Sequence, residues 1–523
     1  MFRVLVSDKI SEEGLAPLLN SSEIECVIQN VNDTADLDTY HALLVRSATK
    51  VTEELMEKMP KLKIIARAGV GVDNIDVPAA TKRGIVVVNA PSGNTISTAE
   101  HSFAMMLALA RKVCQANNSV KNGEWNRTAF QGMELKGKAL GVIGFGRIGS
   151  EVAKRAKAFD MTVLAYDPFL TKEKAEKLRV NQVSLNELLA KADIITIHTP
   201  LTQETKGLLN MESLKITKQG VLIVNCARGG IVDEEALKHY LEIGHVGGAA
   251  LDVFESEPPV NRDLLEFDNV IVTPHIAAST KEAQLNVAII VSEEVLNFAQ
   301  GRPVHNGVNL PAVSSEVLEK VSHYYQLTKI MGTLVSKLVE GSVKMLEVHY
   351  SGPITTLETS IVTRGLLAGF LQPRVDFIIN DVNAPIIAKE YGISYGEKYL
   401  DNGSVYTNLI RTVATTDQGV FTLEGTCIRE YGPRIVAIDD FDIDLAPFGS
   451  VLLVEHVDTP GVVGKVGQVL GSKSINIGEM QVGRKQQGGA ALMIINIDKP
   501  ITAEIEADLK AIPEVTRITN IEF

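Results

Sequence analysis

Short runs of apolar residues, each bounded by polar or glycine-rich turns, recur along the first part of the chain and alternate with stretches of helical period. Arg3-Val4-Leu5-Val6, Ala42-Leu43-Leu44-Val45, Leu62-Lys63-Ile64-Ile65-Ala66 and Ile85-Val86-Val87-Val88 are nearly unbroken. Unbroken runs fit parallel strands buried on both faces, so the pattern predicts an α/β layer. Ser97-Thr98-Ala99-Glu100 has a capping-box arrangement and predicts the start of a long helix running on through Phe103 and Leu109. A second series of strands is predicted at 139–143, 162–166, 193–197, 221–224, 248–251 and 270–272, with helical patterns between them. That order suits a doubly wound parallel sheet. A helix over 281–300 ends at the stop signal Gly301-Arg302-Pro303.

From about Pro311 the pattern changes to two helical stretches and then strand-rich segments, without a motif that carries chemistry. Beyond residue 450 the order is strand, helix, strand, strand, helix, strand, the split βαβ arrangement of a ferredoxin-like module. A chain of 523 residues is too long for one core, which agrees with several domains. The net charge of −13 disfavours nucleic acid, although a local arginine cluster can still bind a small anion. Cys26, Cys114, Cys226 and Cys427 are scattered, which argues for a reducing cytosol and against disulfides or a structural metal site. Neither a signal peptide nor a membrane span is expected, so the chain is read as cytoplasmic.

The chemistry begins at Gly144-Phe145-Gly146-Arg147-Ile148-Gly149, which follows an apolar strand and opens a helical pattern. In that context Gly144 permits the tight turn, Gly146 lets the backbone approach a pyrophosphate, and Gly149 permits close helix–strand packing. The pyrophosphate then meets the positive end of the new helix. Asp167, 18 residues after Gly149, ends the next strand and can accept from the adenosine ribose. Pro168 follows, with no adjacent cation for a 2′-phosphate, which favours NAD over NADP. Arg228, Glu257 and His275 stand at successive later strand ends, where ligands of such sheets bind. An imidazole suits removal of a hydroxyl proton, a carboxylate beside it orients and supports it, and a guanidinium grips a carboxylate in two parallel hydrogen bonds. Arg46 and Arg67 end strands of the first series and are expected to point into the cleft, more positive charge than one carboxylate needs. Ser92-Gly93-Asn94 forms a loop whose backbone N–H groups could cradle an anion.

The glycine turn with its Asp167, the Cys226-Ala227-Arg228-Gly229-Gly230 segment, and the Glu257 and Pro274-His275 positions resemble the D-2-hydroxyacid dehydrogenases over about residues 1–310. The resemblance implies a Rossmann-like NAD domain (98–285) inserted in a flavodoxin-like substrate domain (1–97 plus 286–310). It implies Arg228 on the substrate carboxylate and carbonyl, His275 as acid/base and Glu257 as its partner. It also implies Thr199, Cys226 and Asp252 against the nicotinamide half of NAD, with Val70, Arg147, Ile148 and Ala227 completing the cofactor set. The segment His456-Val457-Asp458-Thr459-Pro460-Gly461, followed by Ile475-Asn476-Ile477, resembles the start of an ACT domain, placed at 450–523.

That combination, with an α+β intervening domain over 311–446, is similar to the long-chain branch of the family. The branch implies oxidation of 3-phospho-D-glycerate to 3-phosphooxypyruvate, the first step of L-serine synthesis, by a homotetramer. Arg46 and Arg67, which suit a phosphate, are then expected with Ser92, Gly93 and Asn94 as the substrate subsite. An allosteric anion-binding or spacer role would fall to the intervening domain. His456, Asp458 and Asn476 match effector positions for L-serine, but Asp458 stands where the serine-binding version carries Asn, which removes a donor. Two other readings use the same motifs: a D-2-hydroxyacid dehydrogenase with an unphosphorylated substrate, and an NAD-sensing corepressor-type binding protein. The paired arginines and the tail weigh against the first, and the complete Arg-Glu-His set against the second.

Overall fold

The computed structural model describes residues 1–523 apart from 261, 312 and 401–404, and its strands form four sheets that follow one another along the chain. The first is parallel, in the order Ile24–Ile28, Phe2–Val6, Ala42–Val45, Ile64–Arg67, Val86–Val88. Every residue of Ala42–Val45 is buried, as expected for a central strand covered on both faces. Ile24–Ile28 escaped the sequence pattern because it is an edge strand, only partly buried, with Glu25 interrupting its apolar run.

The second sheet is also parallel: Val270–Val272, Val246–Leu251, Val221–Asn225, Ile194–Ile197, Ala139–Ile143, Thr162–Tyr166, Asn181–Gln182. Strand order reverses between Ala139–Ile143 and Ile194–Ile197, and a crevice opens beyond the carboxyl ends at such a switch point. Helix Thr95–Ala110 serves this sheet, packing Phe103 and Met106 with Leu140, Val142 and Val224. Helix Lys281–Ala299 returns the chain to the first sheet, where Val287, Val291 and Val295 share a core with Val4, Val6 and Leu44. The segments just before these two helices therefore pass between the bodies, and the crevice lies where they cross.

The predicted capping box does not form. Helix Thr95–Ala110 begins earlier, after Asn94, and no side chain caps it. The Ser97 hydroxyl donates back to the Asn94 carbonyl at 3.0 Å. Asn94 Oδ1, Thr95 Oγ1 and Thr98 Oγ1 are buried without partners, and of these residues Asn94 and Thr98 border the crevice.

The third sheet is mixed, with Val343–Ser351 parallel to Ser394–Leu400 and antiparallel to Leu409–Thr416, followed by Val420–Ile428, Gly432–Ile438 and Phe441–Leu445. A strand thus separates the helices Ser315–Leu338 and Ser360–Leu371, which the sequence pattern had placed together, and Ala384–Glu390 adds a further helix. The fourth sheet is antiparallel, in the order Ile477–Arg484, Ala490–Ile497, Ser450–Val457, Val515–Glu522, with helices Val462–Ser472 and Ala503–Lys510. Leu452 and Val454 pack under those helices, whereas Val451 and Leu453 join the core of the third sheet with Leu338 and Leu445. The strand alternates between two cores, so both of its faces are dry. No described helix is long and apolar enough to cross a membrane.

Candidate active site

Gly144 leaves the strand Ala139–Ile143 with φ +88°, a conformation costly for any residue with a Cβ. A Cβ here would also lie 2.7 Å from the His198 backbone. Asp167, just past Thr162–Tyr166, fixes the turn: its carboxylate accepts from the Phe145 N–H and the Phe169 N–H, each at 2.7 Å. Helix Arg147–Ala158 then starts at Gly146 with no side-chain cap, and a Cβ at Gly146 would meet nothing within 4 Å. Free N–H groups at an uncapped helix start, with open space in front, suit a pyrophosphate.

From this turn a cavity of about 510 Å³ runs between the first two bodies, bordered by Val70, Asn94, Thr98, Arg147, Ile148, Thr199, Cys226, Ala227, Arg228 and His275. Several polar atoms buried along or beside it have no partner in the protein: Asn94 Oδ1, Thr98 Oγ1, Thr199 Oγ1 and His198 Nδ1. Buried polar atoms without partners are uncommon, and here they face a space large enough for a ligand that would satisfy them. Burial pushes the His198 imidazole down to about 3, so the ring is neutral, and pushes the Cys226 thiol up to about 12. Cys226 is therefore an inert wall, not a nucleophile.

His275 follows the strand Val270–Val272 in a left-handed conformation, φ +52°, that a non-glycine residue holds only when its surroundings impose it. Its Nδ1 lies 2.7 Å from Glu257 Oε2, which leaves Nε2 as the free face of the ring. Asp252, 0% exposed, imposes that backbone. Its carbonyl accepts from the His275 N–H at 2.9 Å. Its carboxylate accepts from the Thr273 hydroxyl at 2.5 Å and from the Ile276 and Ala277 N–H groups at 2.8 and 2.9 Å. His101 Nε2 stands 3.4 Å from the same carboxylate. Burial pushes this carboxyl up, but His101, Thr273 and the two N–H donors outweigh it and hold it below the usual carboxylate range. Asp252 does not itself border the cavity; its carboxylate holds the segment that carries His275.

Arg228 sits on a turn stapled by Asn225, whose side chain accepts from the Ala227 N–H at 3.0 Å and donates to the Arg228 carbonyl at 2.9 Å. From the other body Asp73 Oδ2 lies 3.2 Å from Arg228 Nε. Arg67 is mostly buried and its Nε has no partner. Burial, then the neighbouring charge of Arg228 and, further down, of Arg46, push its guanidinium down to about 10 against the opposing pull of Asp73. Arg46 donates to the Lys9 carbonyl at 3.2 Å. Gly69 and Gly71 make this crowding possible, because a Cβ at either would lie 2.0 Å from Arg67 Nη1 or 1.9 Å from Arg228 Nη2.

The loop 92–94 behaves differently from expectation. Only Asn94 reaches the cavity, Ser92 is exposed, and the Gly93 N–H is spent on the Ala90 carbonyl at 3.3 Å. Nor does one chain assemble the predicted effector set. His456 pairs through Ala491 with Arg484 at one end of the fourth sheet, while Asn476 precedes Ile477 at the other. Asp458 accepts from Arg484 at 3.0 Å, and that pairing holds its carboxyl below the usual range. His456 Nε2 is buried without a partner. Asp73, Asn225, Thr98, His101 and His198 were not singled out from the sequence. Only the buried Asn225 at the end of an apolar run carried a local signal.

Three domain families match the chain: the NAD binding domain of the D-isomer specific 2-hydroxyacid dehydrogenases over residues 103–277, the intervening domain of D-3-phosphoglycerate dehydrogenase over 320–439, and the ACT domain over 450–514. D-3-phosphoglycerate dehydrogenase of Bacillus subtilis is 55% identical over 100% of both chains, and that of Archaeoglobus fulgidus 45% identical over 100% of both. Among solved structures, D-lactate dehydrogenase from Aquifex aeolicus, complexed with NAD and lactic acid, is 34% identical and superposes with a TM-score of 0.53. It spans 59% of this chain and 99% of its own.

Proposed function

The chain belongs to the D-3-phosphoglycerate dehydrogenase family, and from that premise we propose that it oxidises 3-phospho-D-glycerate to 3-phosphooxypyruvate with NAD, the first step of L-serine synthesis. The observation that carries the substrate is the grouping of Arg67 with Arg228 and Arg46, Arg228 lining the same cavity as His275. Three guanidinium groups exceed the need of a lone carboxylate and match a molecule with a carboxylate at one end and a phosphate at the other.

Bound NAD supplies the hydride acceptor. Arg228 holds the substrate carboxylate and so fixes the carbon that loses hydride. His275 takes the hydroxyl proton on Nε2 while Nδ1–H donates to Glu257, whose charge stabilises the imidazolium that forms. Arg67 and Arg46 hold the phosphate, Asn94 and Thr98 complete the substrate wall, and Thr199 with the Gly144–Gly149 turn and Asp167 holds the cofactor.

The enzyme acts in the cytoplasm as a homo-oligomer, a tetramer by this reading. Its support is the exposed apolar surface on and after helix Val113–Lys121, where Val113, Val120 and an 80%-exposed Trp125 would be covered by a second copy. L-serine is the proposed effector, bound between paired ACT domains. Pairing would bring Asn476 of one sheet to His456 and Asp458 of another, positions that a single sheet keeps at opposite ends.

The test is NADH production from 3-phosphoglycerate, with and without added serine. Activity on phosphoglycerate that survives Arg67→Ala with an unchanged KM removes the phosphate assignment. Unaltered turnover in His275→Ala removes the proton acceptor.

A further inference from the structure

We infer that Asp73 is a built-in competitor for the substrate's carboxylate, holding the Nε edge of Arg228 through which the substrate would be gripped. The inference rests on the substrate-binding role proposed above for Arg228. A guanidinium grips a carboxylate along one edge, either through Nε and Nη2 or through Nη1 and Nη2. Nε carries a single hydrogen, and Asp73 Oδ2 lies 3.2 Å from it. Nη1 donates to the Ala227 carbonyl at 2.7 Å. Nη2 lies against Gly71, where even a Cβ would approach to 1.9 Å. Nη1 carries two hydrogens, so its bond to the Ala227 carbonyl leaves one free, whereas Asp73 takes the single hydrogen of Nε; a two-point grip along the Nε–Nη2 edge therefore requires Asp73 to yield.

Asp73 is the one that yields. The Ala227 carbonyl belongs to the turn that Asn225 staples, so it moves only with Arg228 itself. The Asp73 side chain is 70% exposed, and an ion pair open to water on one side is easily exchanged for another carboxylate. Asp73 also comes from the first body and Arg228 from the second. Their pair bridges the cleft, and the substrate replaces it with a bridge of its own, phosphate on Arg67 and Arg46, carboxylate on Arg228. Asp73 thus keeps Arg228 extended toward the cleft and offsets part of the affinity for the anion that displaces it.

Initial rates at saturating NAD, on the full chain, test this with Asp73→Asn, which keeps the shape and removes the charge. The expected result is a KM for 3-phosphoglycerate about two- to fivefold lower, with kcat within about twofold of wild type. Asp73→Glu should restore a KM near the wild-type value. An unchanged KM overturns the competition. A raised KM or a large loss of kcat, with the melting temperature preserved, overturns it differently, by making Asp73 an orienting partner of Arg228 in turnover. Calorimetric titration of the NAD-loaded protein with oxalate separates this question from the identity of the substrate. Asp73→Asn should bind oxalate about two- to fivefold more tightly than wild type, and equal affinities sink the proposal whether or not phosphoglycerate is oxidised.

Discussion

Asp252→Asn separates two physical roles for one buried carboxylate. The side chain is 0% exposed and accepts from Thr273, Ile276 and Ala277, with His101 alongside. An asparagine would keep its oxygen toward Thr273 and Ile276, where more donors converge, and turn its NH₂ toward the Ala277 N–H, 2.9 Å from the present oxygen. Two donors would then face each other. A charge-assisted bond worth about 1.5–3 kcal/mol is lost and a buried N–H left unpaired at a further ~1–3 kcal/mol, so about 4 kcal/mol in total is a central value. For a body of this size that corresponds to a melting transition about 8–16 °C lower.

The donors concerned flank His275, whose own N–H is held by the Asp252 carbonyl, so the imidazole should shift by a fraction of an ångström to an ångström. Such a displacement is expected to lower kcat by about ten- to a hundredfold. The NAD dissociation constant, measured by fluorescence quenching or calorimetry, should stay within about threefold, because the carboxylate does not border the cavity. The opposite split, NAD affinity falling by an order of magnitude while kcat under saturation survives, would refute this account. It would restore Asp252 as a direct cofactor contact.

Other consequences are measurable. Glu257→Gln removes the charge 2.7 Å from His275 Nδ1 but leaves an acceptor there, and kcat should fall about ten- to a hundredfold with little change in NAD affinity. His198 is neutral in the fold, pushed down to about 3 by burial, whereas the unfolded ring takes a proton below about 6.5. Its contribution to stability is therefore complete above that pH and is lost on acidification, about 2 kcal/mol by pH 5. Urea unfolding at pH 7 and pH 5 should show this difference for wild type and a flatter dependence for His198→Gln. Trp125→Asp should lower the oligomeric state seen by sedimentation while the circular dichroism spectrum is preserved, and an unchanged assembly would move the interface elsewhere.

The sequence by itself determined whatever depends on residues close together along the chain. Runs such as Ala42-Leu43-Leu44-Val45 announce strands buried on both faces. The Gly144–Gly149 turn needs its glycines in consecutive order, with Asp167 one strand later. Arg228, Glu257 and His275 each follow a recognisable strand, so the cofactor and the reaction were legible and three candidate residues could be named. Edge strands such as Ile24–Ile28 were missed because a half-exposed strand relaxes the apolar pattern that betrays a buried one.

Only the tertiary structure decided which carboxylate meets which cation. Asp73 and Arg228 are 155 residues apart in sequence and belong to different bodies, yet they share a hydrogen bond. Asp252, expected against the nicotinamide half of NAD, is met by four donors from two elements beside the segment that carries His275. The Ser97–Glu100 pattern satisfied a local capping rule, and the crevice overrode it by leaving the helix start open to ligand. Strand Ser450–Val457 buries both faces only because a second core meets it from the intervening domain. Local sequence specifies conformation through short-range sterics and hydrogen bonding. The partner of a buried polar group depends on which surfaces the packed bodies bring together, and one segment of chain does not contain that information.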